Sequence, residues 1–299
     1  MIRRGSLKDE VAYYYKYGGD ISRIIVILII AFVIQIFLWL FGDILLDGWG
    51  TKILSYFSLS SSVTETLKHI WTLFTYSLFH ADPFHLLFNL LGLYWFGTVI
   101  KEYIGNPKVT PIFYLGAFFG GLLFLLLFNP ILKLPYTAQA GLLIGASGGV
   151  MAILGAAVTI APNHTFHLLF FGPIRLLWIA VFYVILDLFN IAKAEIGTGL
   201  AHIGGLFFGV LFAVALQNGI DFSKPFYAVA DFFTRFFAKK PALKVVHKDD
   251  KNKNFTSNKK VKFSNQEQID AILDKIGKSG YPSLTAEERE ILFKASDKK

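Results

Sequence analysis

The side chains capable of chemistry in this sequence are few, and they stand in apolar surroundings. Ser147 lies in Gly145-Ala146-Ser147-Gly148, within a run of small and apolar residues that continues to Ile160. His202 follows Ala201 and precedes Gly205 and Gly209 in a second such run. His85 and Asn89 lie four apart in a third, on one face of any helix that forms there. Serine is a weak nucleophile until a base takes its proton, and a histidine such as His202 can be that base. The Asn89 amide, a His85 ring N–H and the Ser147 backbone N–H are donors suited to the oxyanion of a tetrahedral intermediate. Taken singly, each residue also has a plainer reading. Serine among glycines serves helix packing, an isolated buried histidine or asparagine bridges helices, and the Ala201/Gly205/Gly209 stripe is a packing surface. Chemistry outweighs packing only if the three segments share one layer.

The composition says what kind of element carries them. Of 299 residues 54% are hydrophobic and 31 are phenylalanine, while only 17% are charged, against roughly a quarter in a soluble domain. Several apolar runs approach the ~20 residues that cross a bilayer. The expectation is an all-α, polytopic membrane protein: a six-helix bundle with a small helical tail. The net charge of +8 does not point to nucleic acid. The cations gather before the first apolar run (Arg3, Arg4, Lys8, Lys16, Arg23) and in the C-terminal third, where the positive-inside rule places them. There is no cysteine, so a thiol nucleophile, a disulfide and a cysteine-ligated metal are excluded. No small-residue cleavage pattern follows the first apolar run, which reads as an anchored span.

Residues 1–23 form a cytoplasmic N-terminal segment and residues 24–218 carry six spans. These are expected at 24–41, 82–101, 111–128, 142–160, 174–191 and 199–216. Asp82 caps the second span, with Pro83 at its first position. Asn129-Pro130 ends the third. In the fourth, Gly141, Gly145 and Gly149 are four apart, so they line one face of a helix. Residues 219–240 form a basic, aromatic interfacial helix. Residues 241–263 are a charged, disordered linker. Residues 264–299 form a helical hairpin with capping boxes at Ser264-x-x-Glu267 and Thr285-x-x-Glu288. Ile269, Ile272, Leu273 and Ile276 give its first helix an apolar face. The partner of this tail is unknown.

With cytoplasmic termini, the second, fourth and sixth spans all run from outside to inside. Each carries its polar residue near its starting end, so His85, Asn89, Ser147 and His202 share a layer one or two turns below the outer surface. The only acid near the outer ends of these three spans is Asp82, which is taken by the cap. The expectation is a Ser147–His202 dyad without a carboxylate, its histidine oriented by packing. Asp187, in the second half of the fifth span, reads either as a helix-bridging acid or as part of a gate.

Three separated motifs then resemble one family, the rhomboid intramembrane serine proteases. They are His80-x4-His85-x3-Asn89, Gly145-Ala-Ser147-Gly148 and Ala201-His202-Ile-Gly-Gly205-x3-Gly209. The resemblance covers roughly residues 20–218. It implies that Ser147 is the nucleophile and His202 the general base, that His85 and Asn89 assist the oxyanion, and that Gly145, Gly148, His80, Met151, Ala201 and Gly205 support them. It implies single-span membrane proteins as substrates, cleaved near their outer ends within the lipid bilayer of the inner membrane, and a fifth span acting as a lateral gate. It implies no metal or cofactor. Three places depart from the family. Trp71-Thr72 stands where many members have Trp-Arg, Met151 stands where many have an aromatic under the histidine, and the acidic residue after the second span appears as Lys101-Glu102, displaced by one. Two other functions remain to be weighed: a catalytically silent adaptor that binds membrane helices, and a transporter with His85, His202 and Asp187 on a proton path.

Overall fold

A computed structural model describes residues 7–45, 47–128, 141–168, 172–192, 196–237 and 265–296. Two compact units divide at Lys239/Lys240. The first opens with α1 (Leu7–Tyr17) and α2 (Gly19–Phe37), which continues as a π-helical turn over Leu38–Asp43. A connecting stretch of short elements follows: α3 (Trp49–Ser55), β1 (Leu59–Ser60), α4 (Val63–Lys68) and α5 (Thr72–Thr75). The bundle is completed by α6 (Pro83–Tyr103), α7 (Val109–Phe128), β2 (Leu142–Leu143), α8 (Ser147–Ile160), a hairpin of β3 (Thr165–Leu168) and β4 (Gly172–Arg175), α9 (Leu176–Ala192), α10 (Ile196–Gln217) and α11 (Ser223–Phe237). Asn129-Pro130, the 241–263 linker, Lys193, Glu195 and Ser264 lie outside the described residues.

Four of the described helical segments are long and apolar enough to cross a membrane: Gly19–Asp43, Pro83–Tyr103, Asn106–Phe128 and Ile196–Gln217. Two shorter apolar helices, Ser147–Ile160 and Leu176–Phe189, accompany them. The chain is a multi-pass helical membrane protein.

Its centre is α7, α8 and α10, held together by missing side chains. A Cβ on Gly205 would collide with the Gly148 carbonyl, one on Gly209 with the Ala152 carbonyl, and one on Gly155 with the Leu206 carbonyl. A Cβ on Gly204 would come within 2.9 Å of the Gly120 Cα. The Ala201/Gly205/Gly209 stripe therefore is a packing surface, and α8 is what it packs on. In a bilayer, where burial of apolar side chains between helices gains little over lipid, such backbone approach supplies the dispersion contacts that hold helices together. Ala152, Ile153, Leu154, Ala156, Phe113, Phe212 and Ala213 complete a fully buried core.

The fourth span differs from expectation. Leu142 and Leu143 are extended and pair antiparallel with Ser60 and Leu59, and helix begins only at Ser147. Gly145 has φ +132°, a conformation that L side chains avoid, so no helix runs through it. Gly141, Gly145 and Gly149 therefore do not line one face. Gly149 alone is helical, and there the ring of Phe113 occupies the space of a side chain, 2.7 Å from a would-be Cβ.

At the opposite end, Lys108 Nζ donates to Asp221 Oδ2 at 2.6 Å and to Ser223 Oγ at 2.7 Å. Tyr227 OH donates to the Pro107 carbonyl at 2.8 Å, which fastens α11 to the α6–α7 connection. In the second unit, α12 (Asn265–Ser279) packs on α13 (Ala286–Ser296), and Ile272 of α12 and Leu284, two residues before α13, are buried. Leu273 is exposed, and Gly277 is helical. The Thr285/Glu288 capping box forms, with Thr285 N–H donating to Glu288 Oε2 at 2.8 Å and Glu288 N–H to Thr285 Oγ1 at 3.3 Å.

Glycine substitutions should therefore differ in sign. Gly209→Val forces α8 and α10 apart and should cost at least ~1–3 kcal/mol, read as a lower thermal midpoint in detergent. Gly277→Ala, with open space around it, should stabilise the tail helix by up to ~1 kcal/mol, read by thermal melting of its helical signal.

Candidate functional site

The site is built at one end of the bundle. Asp82 accepts from the N–H groups of Phe84 at 2.8 Å and His85 at 2.9 Å, so α6 starts where Asp-Pro predicts. His85 is its third residue and Asn89, 6% exposed, its seventh. The Asn89 amide donates one N–H to the His85 carbonyl at 2.9 Å, which leaves its second N–H for another acceptor.

Ser147 is the first residue of α8. Ala146 before it supplies no side-chain cap, so the opening N–H groups of this helix, including that of Ser147, have no intrahelical acceptor. Two groups hold the preceding turn. The Gly145 N–H donates to the Tyr76 carbonyl at 3.0 Å, and the Ala146 N–H donates to His80 Nε2 at 3.3 Å. His80 is in turn fixed by Gln35 of α2, whose amide donates to the His80 carbonyl at 2.6 Å and accepts from its N–H at 3.0 Å. Tyr76, fully buried, donates its hydroxyl to the Ala117 carbonyl at 2.7 Å. Neither Gln35 nor Tyr76 is singled out by sequence reasoning. The one available signal is that a glutamine inside an apolar span needs a partner.

Glycine at 145 has a second cause. The point a Cβ would occupy lies 2.8 Å from His85 Cε1, 3.0 Å from His85 Nε2 and 3.6 Å from Ser147 Oγ. The His85 ring thus rests on bare backbone, with the Ser147 hydroxyl beside the same point. His80 and His85 stack edge to face, their centroids 5.1 Å apart.

His202 is the seventh residue of α10. Gly148, next to Ser147, approaches Ala201, next to His202: a Cβ on Gly148 would lie 3.5 Å from the Ala201 carbonyl oxygen and 3.0 Å from the Tyr76 hydroxyl. Among the described residues the buried Nε2 of His202 has no hydrogen-bond partner. Its Nδ1 lies 2.6 Å from Asp187 Oδ1. This corrects the expectation of a histidine without a carboxylate. α9 precedes α10 and runs back towards its start, so the second half of α9 lies near the first turns of α10, and Asp187 arrives there. Met151, 3% exposed, is buried within the core.

The connecting stretch is anchored despite its departure from Trp-Arg. Thr72, 2% exposed, donates its hydroxyl to the His69 carbonyl at 2.7 Å, and the Trp71 indole N–H donates to the Tyr56 carbonyl at 2.8 Å. No group of three or more histidine, aspartate or glutamate side chains that could hold a metal is found among the described residues.

Comparison with known proteins adds kinship to this geometry. A profile of the Rhomboid domain matches residues 67–218, and a family of unknown function, DUF6576, matches residues 256–298. The chain is 31% identical over 144 residues to RHOMBOID-like protein 12, mitochondrial, of Arabidopsis thaliana, a match covering 45% of this chain and 43% of that protein. It is 30% identical over 174 residues to Inactive rhomboid-related protein 2 of Caenorhabditis elegans, covering 55% and 45%. It is 27% identical over 199 residues to Rhomboid protease GlpG of Yersinia pseudotuberculosis, covering 66% and 62%. The chain thus spans less than two thirds of the length of each of these relatives.

Two substitutions test how the first turns of α6 and α8 are held. Asp82→Ala removes a cap and should cost about 1 kcal/mol. Gly145→Ala should cost more, since backbone strain alone is about 1–3 kcal/mol and the new methyl meets the His85 ring. Thermal midpoints in one detergent give the ranking.

Proposed function

The chain belongs to the rhomboid family, and we propose that it is an active intramembrane serine endopeptidase that cleaves membrane-spanning segments. One observation carries the reading: Ser147 opens α8 beside Gly148, which approaches Ala201, the neighbour of His202, and among the described residues the buried His202 Nε2 has no partner. In this reading Nε2 takes the Ser147 proton as Oγ attacks the scissile carbonyl. The oxyanion accepts from the Ser147 N–H, the free Asn89 amide N–H and the His85 ring. Collapse of the intermediate expels the amine, which takes the proton from His202. Water, deprotonated by the same Nε2, then hydrolyses the acyl-enzyme. Gly145, Gly148, His80, Met151, Ala201 and Gly205 shape and support this site. No cofactor takes part.

The depth of the site also supports proteolysis within the membrane. At 1.5 Å per residue the 14 residues of α8 span about 21 Å, short of the ~30 Å hydrocarbon thickness. Non-helical backbone from Leu142 to Gly145 takes the chain the rest of the way. Such backbone is tolerated at membrane depth only where protein buries it or it lines a wet cavity. A hydroxyl at its foot is therefore below the surface yet within reach of the water that hydrolysis needs.

The orientation completes the reading: six spans, with α8 and α9 as the fourth and fifth, both termini cytoplasmic, and the site open to the outer side of the inner membrane. The basic residues Lys16 and Arg23 favour it by the positive-inside rule. Substrates are single-span membrane proteins cut near their outer ends, and nucleic acid has no part.

Incubation of the purified protein with a model single-span substrate tests this. The wild type should cleave, and Ser147→Ala, equally well folded, should lose at least about 10³-fold in rate. Equal cleavage by both would remove Ser147 from the mechanism. A wild type inert towards a panel of membrane substrates would favour a silent helix-binding adaptor, as the name of the Caenorhabditis elegans relative would suggest. Solute flux into liposomes that survives Ser147→Ala would favour a transporter.

A further inference from the structure

α9 carries one charged residue, Asp187, and buries it to 4% exposure. Helix packing does not require it, because a leucine would fill the same space without the cost of taking a carboxylate out of water. The side chain is committed to one partner. Oδ1 lies 2.6 Å from His202 Nδ1, and Oδ2 is buried with no partner among the described residues. A buried acceptor left half-satisfied is a stability cost that calls for a reason. Among the described residues, the other ionisable groups facing the pair are His85 on α6 and Tyr183, one turn before Asp187 on α9. α8 contributes none.

We infer that Asp187 is a positioning residue for the hydrolysis proposed above, fixing His202 in the tautomer and ring orientation that make Nε2 the base. An ionised carboxylate only accepts hydrogen bonds. Nδ1 therefore carries the proton, and the lone pair stays on Nε2, the atom without a partner. When Nε2 takes the serine proton, the imidazolium forms against the carboxylate, which stabilises its charge without itself becoming protonated. The bond joins consecutive helices across 15 residues of sequence, so His202 is oriented by the position of α9 as well as by its own helix.

This inference rests on the protease reading, and the experiment separates the two. In a wild type whose cleavage depends on Ser147, Asp187→Asn should lower kcat about 10²- to 10⁴-fold with KM within about threefold and the melting midpoint within a few degrees. The conserved shape of asparagine keeps the packing, while its N–H can donate to Nδ1 and drive the proton to Nε2. A kcat within twofold of wild type would overturn the role. The tautomer is read independently from the ¹⁵N resonances of His202 in specifically labelled protein, at a pH where the ring is neutral. Nδ1–H in the wild type, with a shift towards Nε2–H in Asp187→Asn, is the expected result. Nε2–H in the wild type would overturn the inference even if the variant failed to fold or the protein proved inert as a protease.

Discussion

The close approach of α8 to α10 is the constraint on which the rest depends. Gly148 against Gly205, Ala152 against Gly209 and Gly155 against Leu206 put backbone on backbone along about two turns of α8. Only the absence of side chains allows it, and in lipid that absence is what makes helices adhere. The first of these contacts is adjacent to Ser147 and the residues facing it lead to His202. The interaction that holds the bundle together therefore also sets the separation of the two groups proposed to react. Stability and chemistry use the same glycines.

A second constraint acts at right angles to the first. α8 can begin at Ser147 only because the chain before it is held in another conformation, by pairing of Leu142–Leu143 with Leu59–Ser60, by the Tyr76 carbonyl on Gly145, and by His80 on Ala146. These partners come from the stretch between the first and second spans, and Gln35 ties that stretch to α2. What reads in sequence as a loop is the clamp that sets where the helix starts and hence how deep the serine lies.

Much of this is legible in the residues themselves. Asp82-Pro83 announces its helix start because capping chemistry is local. The Ala201/Gly205/Gly209 stripe announces close packing because periodicity is local too. Ser147, His85, Asn89 and His202 stand out because polar groups in apolar runs are costly, and their spacing is specific enough to point to the family. What is not legible is conformational or non-local. Leu142 to Ile144 is an apolar run that suits a strand or a helix equally, and nothing before the fold itself gives Gly145 its positive φ. The Asp187–His202 bond was hidden for a different reason. Attention to the three spans running in one direction leaves out the acid that an antiparallel span returns to the same layer.

The account comes down to whether Ser147 is the nucleophile of a site assembled across the α8–α10 contact. The most direct measurement is peptide mapping by mass spectrometry after treating the folded protein with a fluorophosphonate, which reacts with activated serine hydroxyls. The account predicts a phosphonyl adduct on Ser147 alone among the serines, lost when the protein is unfolded before treatment. An adduct on another serine, or an unmodified Ser147 in protein that cleaves substrate, would contradict it.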